Sequence, residues 1–597
     1  MAIIQSLRAV GEDVSLYNID YFRYEHEAIE AYFKAGQFDV VGISAVVSTA
    51  YTFTKYLAAL IRRVSPHTIV VVGGNLAASA EILLRKCAID VCVVGDGEFV
   101  VQDLIKVLRE RRLDRAALRE TKGLAFLDDG QFVFTGYGRK PTAEEIEWPD
   151  YSILKNDGSL PYFISEIASI DGEQDLSVKG YNGPAGNGET MATVVMTKGC
   201  VARCTFCHRW EKGFRAKPVP TVLDHVRMLV DQHKARFINV ADENFGSDRK
   251  LAHELASGLG ELNIGWMVAG VRTRTIKPET LKHWKANGCL HVYYGIESGS
   301  QTMLDVMEKN ATVQENINAL KWTYEAGLGT IIQLVIGMPG ETDRTIGETI
   351  EFLKEVAPYQ IYWDQDLPSS IISINYAQAL PGTPLYEYAR EHGFIGKTID
   401  EEEKYLERIS DTDAYKEDHF INYTGQPMLK VLLWRPMILA QLDAHHLAKT
   451  RNASLSLASV AWYYTRLVGL RIARRLKLGV LLPARSSPTA DTAAAYDHVA
   501  DSGYFNIHKG FKFAPLLLNP VTRRVFYPLL AVAVAVGKAK SPFDTLRLLA
   551  EHLWWSLTRP FRPAADLPRR SLRKIVKIQA AKTASGEDMM IPLRLGR

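Results

Sequence analysis

Residues 198–208 read Lys-Gly-Cys-Val-Ala-Arg-Cys-Thr-Phe-Cys-His and place Cys200, Cys204 and Cys207 in a CxxxCxxC pattern. The pattern directly follows an apolar run, Thr193–Met196, that predicts a strand. Three thiolates on one short loop can bind three irons of a 4Fe-4S cluster and leave the fourth iron without a protein ligand. We therefore predict that these cysteines are the metal ligands of an open cluster and form the catalytic centre.

Two other interpretations of the cysteines are open. A closed structural zinc site needs a fourth Cys or His, and His208, next to Cys207, is poorly placed to complete a tetrahedron. Cysteines also serve as small buried hydrophobic residues, which is the role predicted for Cys289. The chain has only six cysteines in 597 residues, and this count excludes a disulfide scaffold and favours a reducing cytoplasm.

The chain after the cysteine pattern alternates strand and helix patterns up to about residue 390. This alternation predicts a partial (β/α)6 barrel of the TIM type. The six predicted strands are Thr193–Met196, Phe237–Val240, Gly265–Ala269, Val292–Gly295, Thr330–Ile336 and Ile371–Tyr376.

The first 110 residues show the same alternation and predict a doubly wound, Rossmann-like parallel sheet, so the fold class is α/β. The predicted strands are Val14–Tyr17, Val40–Val46, Ile69–Val72 and Val91–Val94, with helices over Phe53–Arg63 and Phe99–Arg109. Met1–Ala9 is itself a helix pattern, whereas such a unit normally begins with a strand. We therefore expect that its first strand lies upstream of this sequence.

The predicted organisation is a doubly wound domain over residues 1–125, a linker with a surface loop over 126–190, a barrel over 191–400 and a helical region over 401–597. The linker assignment rests on a Gly- and Asp-rich passage from Asp171 to Glu189. The helical region interleaves tryptophan and arginine with apolar residues along 434–482 and 511–555.

The cysteine pattern after the first strand of a partial barrel resembles the radical S-adenosylmethionine (SAM) superfamily. The resemblance implies that SAM binds the open iron and is cleaved reductively to a 5'-deoxyadenosyl radical, with an electron donor such as flavodoxin or ferredoxin. It also implies that Phe206, the aromatic residue before the last cysteine, contacts the adenine of SAM. Packing of Phe206 within the loop is the alternative.

Further SAM contacts are implied at predicted strand ends, where a parallel barrel presents its chemistry. Glu243 lies in Asp-Glu-Asn-Phe over 242–245, at the position where the family keeps a motif for the amino group of SAM. Arg272 could pair with the carboxylate of SAM. Glu297 and Ser298 lie in a Gly-Ile-Glu-Ser-Gly match, and Gly337 lies in a Gly-Met-Pro-Gly-Glu turn. Glu341 of that turn could instead cap the next helix, and the Leu380–Pro384 turn is expected to be structural. A solvated surface arginine is the alternative for Arg272.

Small residues follow the predicted strands of the first domain and resemble the cobalamin-binding domain of cobalamin-dependent radical SAM enzymes. A generic flavodoxin-like domain is the alternative. No D-x-H-x-x-G loop occurs, so histidine ligation of cobalt is not expected. The implied cobalamin contacts are Ser44, Gly73, Gly74, Asn75, Gly95, Gly97 and Glu98.

The implied reaction is methylation of an unactivated carbon in a lipophilic small molecule. The domain order resembles anaerobic magnesium-protoporphyrin monomethyl ester cyclases and hopanoid methylases, so radical cyclisation or rearrangement without methyl transfer is an alternative. A non-catalytic, membrane-associated corrinoid or iron-sulfur sensor is another. A methylthiotransferase needs three more cysteines in its first domain, and Cys87 and Cys92 supply only two.

Charge and hydropathy bear on location and partners. Lys and Arg number 71 against 68 Asp and Glu, which excludes a uniformly basic nucleic-acid binder, but the tail Arg559–Arg597 carries ten basic and three acidic residues. The longest apolar run, Val525–Val536, is shorter than the roughly 20 residues of a spanning helix. Basic and aromatic residues around Trp462–Lys477 and Trp554–Trp555 suit a membrane surface. We expect a cytoplasmic protein, peripheral on the inner face of the membrane; helices that merely pack on the barrel are the alternative.

Overall fold

The computed structural model describes residues 1–170, 188–208, 214–360, 372–412, 414, 420–450, 452–465 and 513–558. Most of the predicted surface loop, the basic segment 466–477 and the basic tail lie outside these residues. The strands are β1 (Val40–Ser44), β2 (Ile69–Gly73), β3 (Val91–Val93), β4 (Leu124–Asp128), β5 (Gln131–Phe134), β6 (Ile164–Glu166), β7 (Thr190–Val194), β8 (Thr197–Lys198), β9 (Arg215–Ala216), β10 (Ala235–Val240), β11 (Gly265–Val271), β12 (Cys289–Glu297), β13 (Ile332–Ile336) and β14 (Ile372–Tyr376).

The helices connect these strands and then form the C-terminal region, where residues 457–465 are also helical. They are α1 (Ala2–Ala9), α2 (Ile19–Phe22), α3 (His26–Gly36), α4 (Tyr51–Val64), α5 (Ala80–Lys86), α6 (Glu98–Arg111), α7 (Arg115–Glu120), α8 (Tyr151–Asp157), α9 (Leu160–Phe163), α10 (Val219–His233), α11 (Arg249–Glu261), α12 (Pro278–Ala286), α13 (Gln301–Val306), α14 (Val313–Glu325), α15 (Asp343–Val356), α16 (Pro384–Glu391), α17 (Ile399–Ile409), α18 (Met428–Thr450), α19 (Ala514–Leu517), α20 (Pro520–Arg524), α21 (Phe526–Lys538) and α22 (Pro542–Thr558).

The N-terminal sheet has the strand order β1-β2-β3-β4-β5, with β1 to β3 parallel and β4 and β5 antiparallel. Alternate residues of each strand enter different apolar clusters. Val70 and Val72 pack in the cluster that contains Leu57 of α4, whereas Val71 packs in the cluster that contains Leu104 of α6. Because strand side chains alternate between faces, helices cover both faces of this sheet and leave its carboxyl edge for loops.

The predicted strand Val14–Tyr17 is wrong, because these residues are irregular in the structure. The Tyr17 ring stacks on Tyr32 of α3, with 3.8 Å between ring centroids, and meets Phe33 edge-on at 6.0 Å. The apolar side chains of this segment thus pack on a helix instead of on a sheet face. The helix predicted at Met1–Ala9 is confirmed as α1.

The second sheet has seven strands in the order β14-β13-β12-β11-β10-β7-β6. Six of them are parallel and correspond to the six predicted barrel strands, and β6 is antiparallel at one edge. The fold prediction of a partial barrel is thus confirmed. A separate two-stranded hairpin, β8 and β9, pairs the residues before the cysteine loop with Arg215 and Ala216.

The C-terminal helices contact both preceding units. Glu403 of α17 accepts hydrogen bonds from Tyr51 (2.8 Å) and Lys55 (2.7 Å) of α4. Trp434 of α18 donates its indole N–H to Asp343 at the start of α15, at 3.0 Å. No helix among the described residues has the length and apolar character needed to cross a membrane.

Candidate functional site

The cysteine loop is fixed to the barrel by Thr205, a fully buried residue between Cys204 and Cys207. The Thr205 N–H donates to the Met307 carbonyl (2.9 Å) and its hydroxyl donates to the Val306 carbonyl (3.1 Å). The Thr205 carbonyl accepts from Leu385 N–H at 3.0 Å. The loop is therefore held between the end of α13 and the start of α16.

All three cysteines lie on this loop, and none forms a disulfide. Cys200 and Cys204 are buried and Cys207 is half-buried. Burial raises the pKa of the Cys204 thiol to about 11, against the opposing attraction of Lys309. Only the thiolate binds iron, so cluster binding must displace this proton. Within the described residues, no three His, Cys, Asp or Glu side chains converge closely enough to hold a metal ion, so the fit to a cluster rests on the three thiols and their spacing.

A buried ion pair stands beside the cysteine loop. The Glu297 carboxylate accepts a hydrogen bond from Lys309 at 2.7 Å, and the two side chains are only 12% and 15% exposed. Glu297 ends β12 with φ of +62°, a left-handed conformation that is unusual for a non-glycine residue. A side chain at Gly295 would collide with both members of the pair. The Gly-Ile-Glu sequence thus leaves the space that this ion pair occupies.

Lys309 brings a positive charge to the cysteines. Burial alone would lower the pKa of Lys309, but the attraction of Glu297 and of Cys204 and Cys207 outweighs burial, so its pKa is raised. Arg272 donates to the Lys309 carbonyl at 2.9 Å. The structure therefore brings Glu297, Arg272 and the cysteine loop around Lys309, and their roles as SAM contacts stay predictions. Sequence reasoning missed Lys309 because no motif surrounds it.

The loop after β10 carries two buried polar residues, one on each side of Glu243, which is the residue predicted to contact SAM. Asp242 accepts hydrogen bonds from the Met196 (2.7 Å) and Thr197 (3.0 Å) N–H groups, and burial raises its pKa to about 6. The other Asp242 oxygen and the Asn244 amide nitrogen are buried without a hydrogen-bond partner in the described part of the chain. Glu243 is exposed. Asp242 and Asn244 thus have unused hydrogen-bonding capacity for a ligand, and Glu243 stays a prediction.

The remaining predicted SAM residues have structural partners. The Ser298 hydroxyl accepts from Ser300 N–H (3.1 Å) and lies 3.3 Å from the Thr349 hydroxyl. Phe206 is half-buried against the main core. These contacts hold the residues near the barrel strand ends without showing a ligand role.

The turn at Gly337 is held by Glu341. Gly337 has φ of +87°, and its N–H donates to the Glu341 carboxylate at 2.5 Å. Met338 N–H donates to the same oxygen at 3.3 Å, and burial raises the pKa of Glu341 to about 8. The next helix, α15, is capped by Thr342 instead. Glu341 therefore stabilises its own turn and not the following helix.

An open cleft of about 830 Å³ borders the cysteine loop at Val201. Arg272 lines it together with Arg249 at the start of α11 and Arg274 after β11. Asp248 also lines the cleft, but three arginines against this single carboxylate make it suitable for an anionic group such as a carboxylate.

The carboxyl edge of the N-terminal sheet has an open, apolar surface after β1. Ser44 is exposed there, and Val46 and Val47 are 62% and 55% exposed. After β2, Gly74 has φ of +89°, and a side chain there would approach the Ala45 carbonyl to 2.5 Å. Gly73 and Asn75 flank it and are half-buried. The small residues leave this edge free of side chains that would block a bound macrocycle such as a corrin.

The loop after β3 lies at this edge and also contacts the hairpin of β8 and β9. Gly95 has φ of +94° and packs beside the Tyr137 ring, and Gly97 packs beside Ile3. The Tyr137 hydroxyl is buried without a hydrogen-bond partner among the described residues. Glu98 accepts a hydrogen bond from Lys198 at 2.9 Å. This loop therefore contacts the residues that lead into Cys200.

Comparison with protein families agrees with this geometry. Residues 194–353 match the radical SAM superfamily, and residues 1–105 match the B12 binding domain. The chain thus carries a B12-binding domain followed by a radical SAM domain, which is the domain composition of cobalamin-dependent radical SAM enzymes. The cofactors of these domains are cobalamin, a 4Fe-4S cluster and SAM.

Several known proteins are similar to this chain. An uncharacterized methyltransferase of Pyrococcus horikoshii is 27% identical over 59% of this chain and 69% of its own length. The anaerobic magnesium-protoporphyrin IX monomethyl ester cyclase of Cereibacter sphaeroides is 28% identical over 61% of this chain, but the match spans only 55% of the cyclase. The structure of the cobalamin-dependent SAM radical enzyme OxsB, with aqua-cobalamin and SAM bound, aligns with a TM-score of 0.55 at 17% identity, over 93% of this chain and 80% of that one. This last similarity shows a shared fold.

The cysteine assignment leads to a first test. We expect that replacing Cys200, Cys204 and Cys207 by Ala lowers the iron content after anaerobic reconstitution from about four atoms per chain to near zero, and abolishes SAM cleavage. Cys289→Ala is the matched control, because Cys289 is fully buried and begins β12, outside the cysteine loop. Iron content measured by metal analysis that stays the same in the triple variant would contradict the assignment.

Proposed function

We propose that this protein is a cobalamin-dependent radical SAM methyltransferase that methylates an unactivated carbon of a lipophilic small molecule. The observation that carries the proposal is that the carboxyl edge of the B12-binding sheet contacts the cysteine loop, through Glu98 to Lys198 (2.9 Å) and Ser48 to His208 (3.3 Å). When bound, SAM would supply the 5'-deoxyadenosyl radical and cobalamin the methyl group, and both cofactors would meet the same space.

In this proposal the chain positions and shields the reactants. The three cysteines hold the cluster, and Lys309 offsets part of the negative charge that their thiolates bring. Arg272 would pair with the SAM carboxylate, and Glu297 would accept hydrogen bonds from the ribose or amine. The burial of Glu297 and Lys309 strengthens the polar contact between them, and bound cofactors that fill the open cleft would exclude water from a reactive radical.

Support for a lipophilic substrate and a membrane surface comes from α21 and α22. Their outward faces carry apolar side chains at helical spacing, and the most exposed are Phe543 (77%) and Leu546 (67%). Arg523 and Arg524 precede α21, and Lys538 ends it. The exposed apolar residues of this two-helix surface are Val525, Leu529, Val532, Val536, Phe543, Leu546, Leu553, Trp554 and Leu557.

Exposed apolar side chains grouped on two successive helices favour an interaction site. Basic residues at its border favour an anionic membrane, since each contributes about 1 kcal/mol near such a surface. The surface lies on the region that packs against α18, which in turn contacts the barrel through Trp434 and Asp343. A substrate taken from the membrane would therefore reach the same protein that cleaves SAM.

A second candidate is radical chemistry without methyl transfer, which the similarity to the magnesium-protoporphyrin cyclase favours. A membrane-associated sensor is the non-enzymatic alternative. In the enzymatic candidates, a small electron-donor protein in the cytoplasm would supply the electron that cleaves SAM.

Product analysis distinguishes these functions. The reconstituted protein is incubated anaerobically with a reductant, methyl-labelled SAM and membrane lipid extract. A methyltransferase should form 5'-deoxyadenosine and S-adenosylhomocysteine in equal amounts and label a lipid. A cyclase-like enzyme should form 5'-deoxyadenosine without labelled product. A complete lack of 5'-deoxyadenosine with every extract would contradict an enzymatic function.

The proposed SAM contacts lead to a binding test. We expect Glu297→Gln to weaken SAM binding about tenfold or more, because a hydrogen bond to a charged group contributes about 1.5–3 kcal/mol, and Glu243→Gln to weaken it as well. Glu325→Gln is the control, since Glu325 is exposed and pairs only loosely with Lys321 (3.9 Å). Calorimetry on the anaerobic protein measures the affinities. Equal affinity in the two test variants and the wild type would refute the contacts.

The membrane proposal predicts salt-sensitive binding to anionic vesicles. Replacing Leu553 and Trp554 by Ser should reduce co-sedimentation severalfold, because both side chains would lose their insertion into the interface. Tyr162→Ser is the control, because Tyr162 is similarly exposed but lies in α9, outside the two-helix surface. If the double variant and the wild type partition alike at low salt, the two-helix surface does not bind lipid.

A further inference from the structure

The cysteine loop is held on both flanks by the N-terminal sheet. Lys198, two residues before Cys200, contacts Asp96 in the loop after β3 and Glu98 at the start of α6. His208, directly after Cys207, lies with its Nδ1 3.3 Å from the hydroxyl of Ser48, in the loop after β1. Both loops leave the carboxyl edge of the sheet, the edge on which the proposed function places the corrin.

Asp96 is the centre of the upstream contact. Its side chain is only 5% exposed, and it forms ion pairs with Lys198 of β8 and with Arg215 of β9, the latter at 3.1 Å. Arg215 also donates to the Pro141 carbonyl at 2.6 Å. Both strands of the hairpin are therefore tied to one carboxylate of the B12-binding domain.

A buried carboxylate that pairs with two cations holds the strands that carry those cations in place. Lys198 is held by two carboxylates of the N-terminal domain, those of Asp96 and Glu98. Removing the Asp96 carboxylate would break the ion pairs that tie Lys198 and Arg215 to the N-terminal sheet, which favours movement of the hairpin. Because Cys200 follows Lys198 by two residues, such movement would shift the cysteines relative to the sheet edge.

We propose that Asp96 is a positioning residue that sets the distance between the cluster on the cysteine loop and the corrin on the sheet edge. The proposal rests on the proposed function, because it requires both cofactors in one chain. It also gives Glu98, predicted from the sequence as a cobalamin contact, a role in holding Lys198. Neither residue needs to touch a cofactor to act in this way.

The test is Asp96→Asn in the full chain, loaded with cobalamin and cluster. Reduction to cob(II)alamin and the reduced cluster gives two paramagnets, and the relaxation of the cob(II)alamin EPR signal depends steeply on their separation. We expect the enhancement of relaxation by the cluster to fall severalfold and to become heterogeneous in Asp96→Asn. Asp128→Asn is the matched control, since Asp128 pairs with Arg119 at the surface of the same domain.

Lys198→Met is the second variant, in case Asp96→Asn does not fold. It keeps the pair of Asp96 with Arg215, and we expect a smaller loss of the enhancement. The result to look for is the relaxation of the cob(II)alamin signal in a variant that folds and holds as much iron and cobalt as the wild type. If that relaxation equals the wild-type relaxation, the positioning role is overturned while the proposed function stands. A wild-type protein that binds no corrin overturns the proposed function, and the positioning role with it.

Discussion

The site depends on one constraint, which is that loops at the carboxyl edge of the N-terminal sheet contact loops at the carboxyl edge of the barrel sheet. Parallel strands present their following loops at one edge, so the loops after β1, β2 and β3 converge on one side of the N-terminal sheet. The cysteine loop follows the first parallel strand of the second sheet, and Thr205 pins it to the barrel. Charged contacts then join the two edges. Asp96 and Lys198 are more than a hundred positions apart in sequence, and their pairing ties the strand that leads into the cysteine loop to the N-terminal sheet.

Much of the strand pattern could be predicted because strands buried on both faces are continuous apolar runs. All six barrel strands were identified in this way. The strand predicted at Val14–Tyr17 is wrong, because an apolar run can pack on a helix as well as in a sheet. The hairpin of β4 and β5 was missed although its turn, Asp129-Gly130, has positive φ at both residues and is a strong hairpin signal.

The site was predictable where a motif marks it and not where distant charges meet. The cysteine spacing and the Gly-Ile-Glu-Ser-Gly strand end identified Cys204 and Glu297, which the structure places near one another. Lys309 and Arg215 lie in segments without a motif, and only the folded chain shows their partners. Asp242 belongs to the same sequence motif as Glu243, but only the fold shows that Asp242 is buried and Glu243 is exposed.

The most direct measurement is an anaerobic structure of the full chain with cobalamin and SAM bound, because it shows where the corrin lies. The corrin is predicted to lie between the Ser44–Val47 edge of the N-terminal sheet and the cysteine loop, with Asp96 still paired to Lys198. A corrin bound elsewhere on the chain, or a cysteine loop turned away from that edge, would contradict the account.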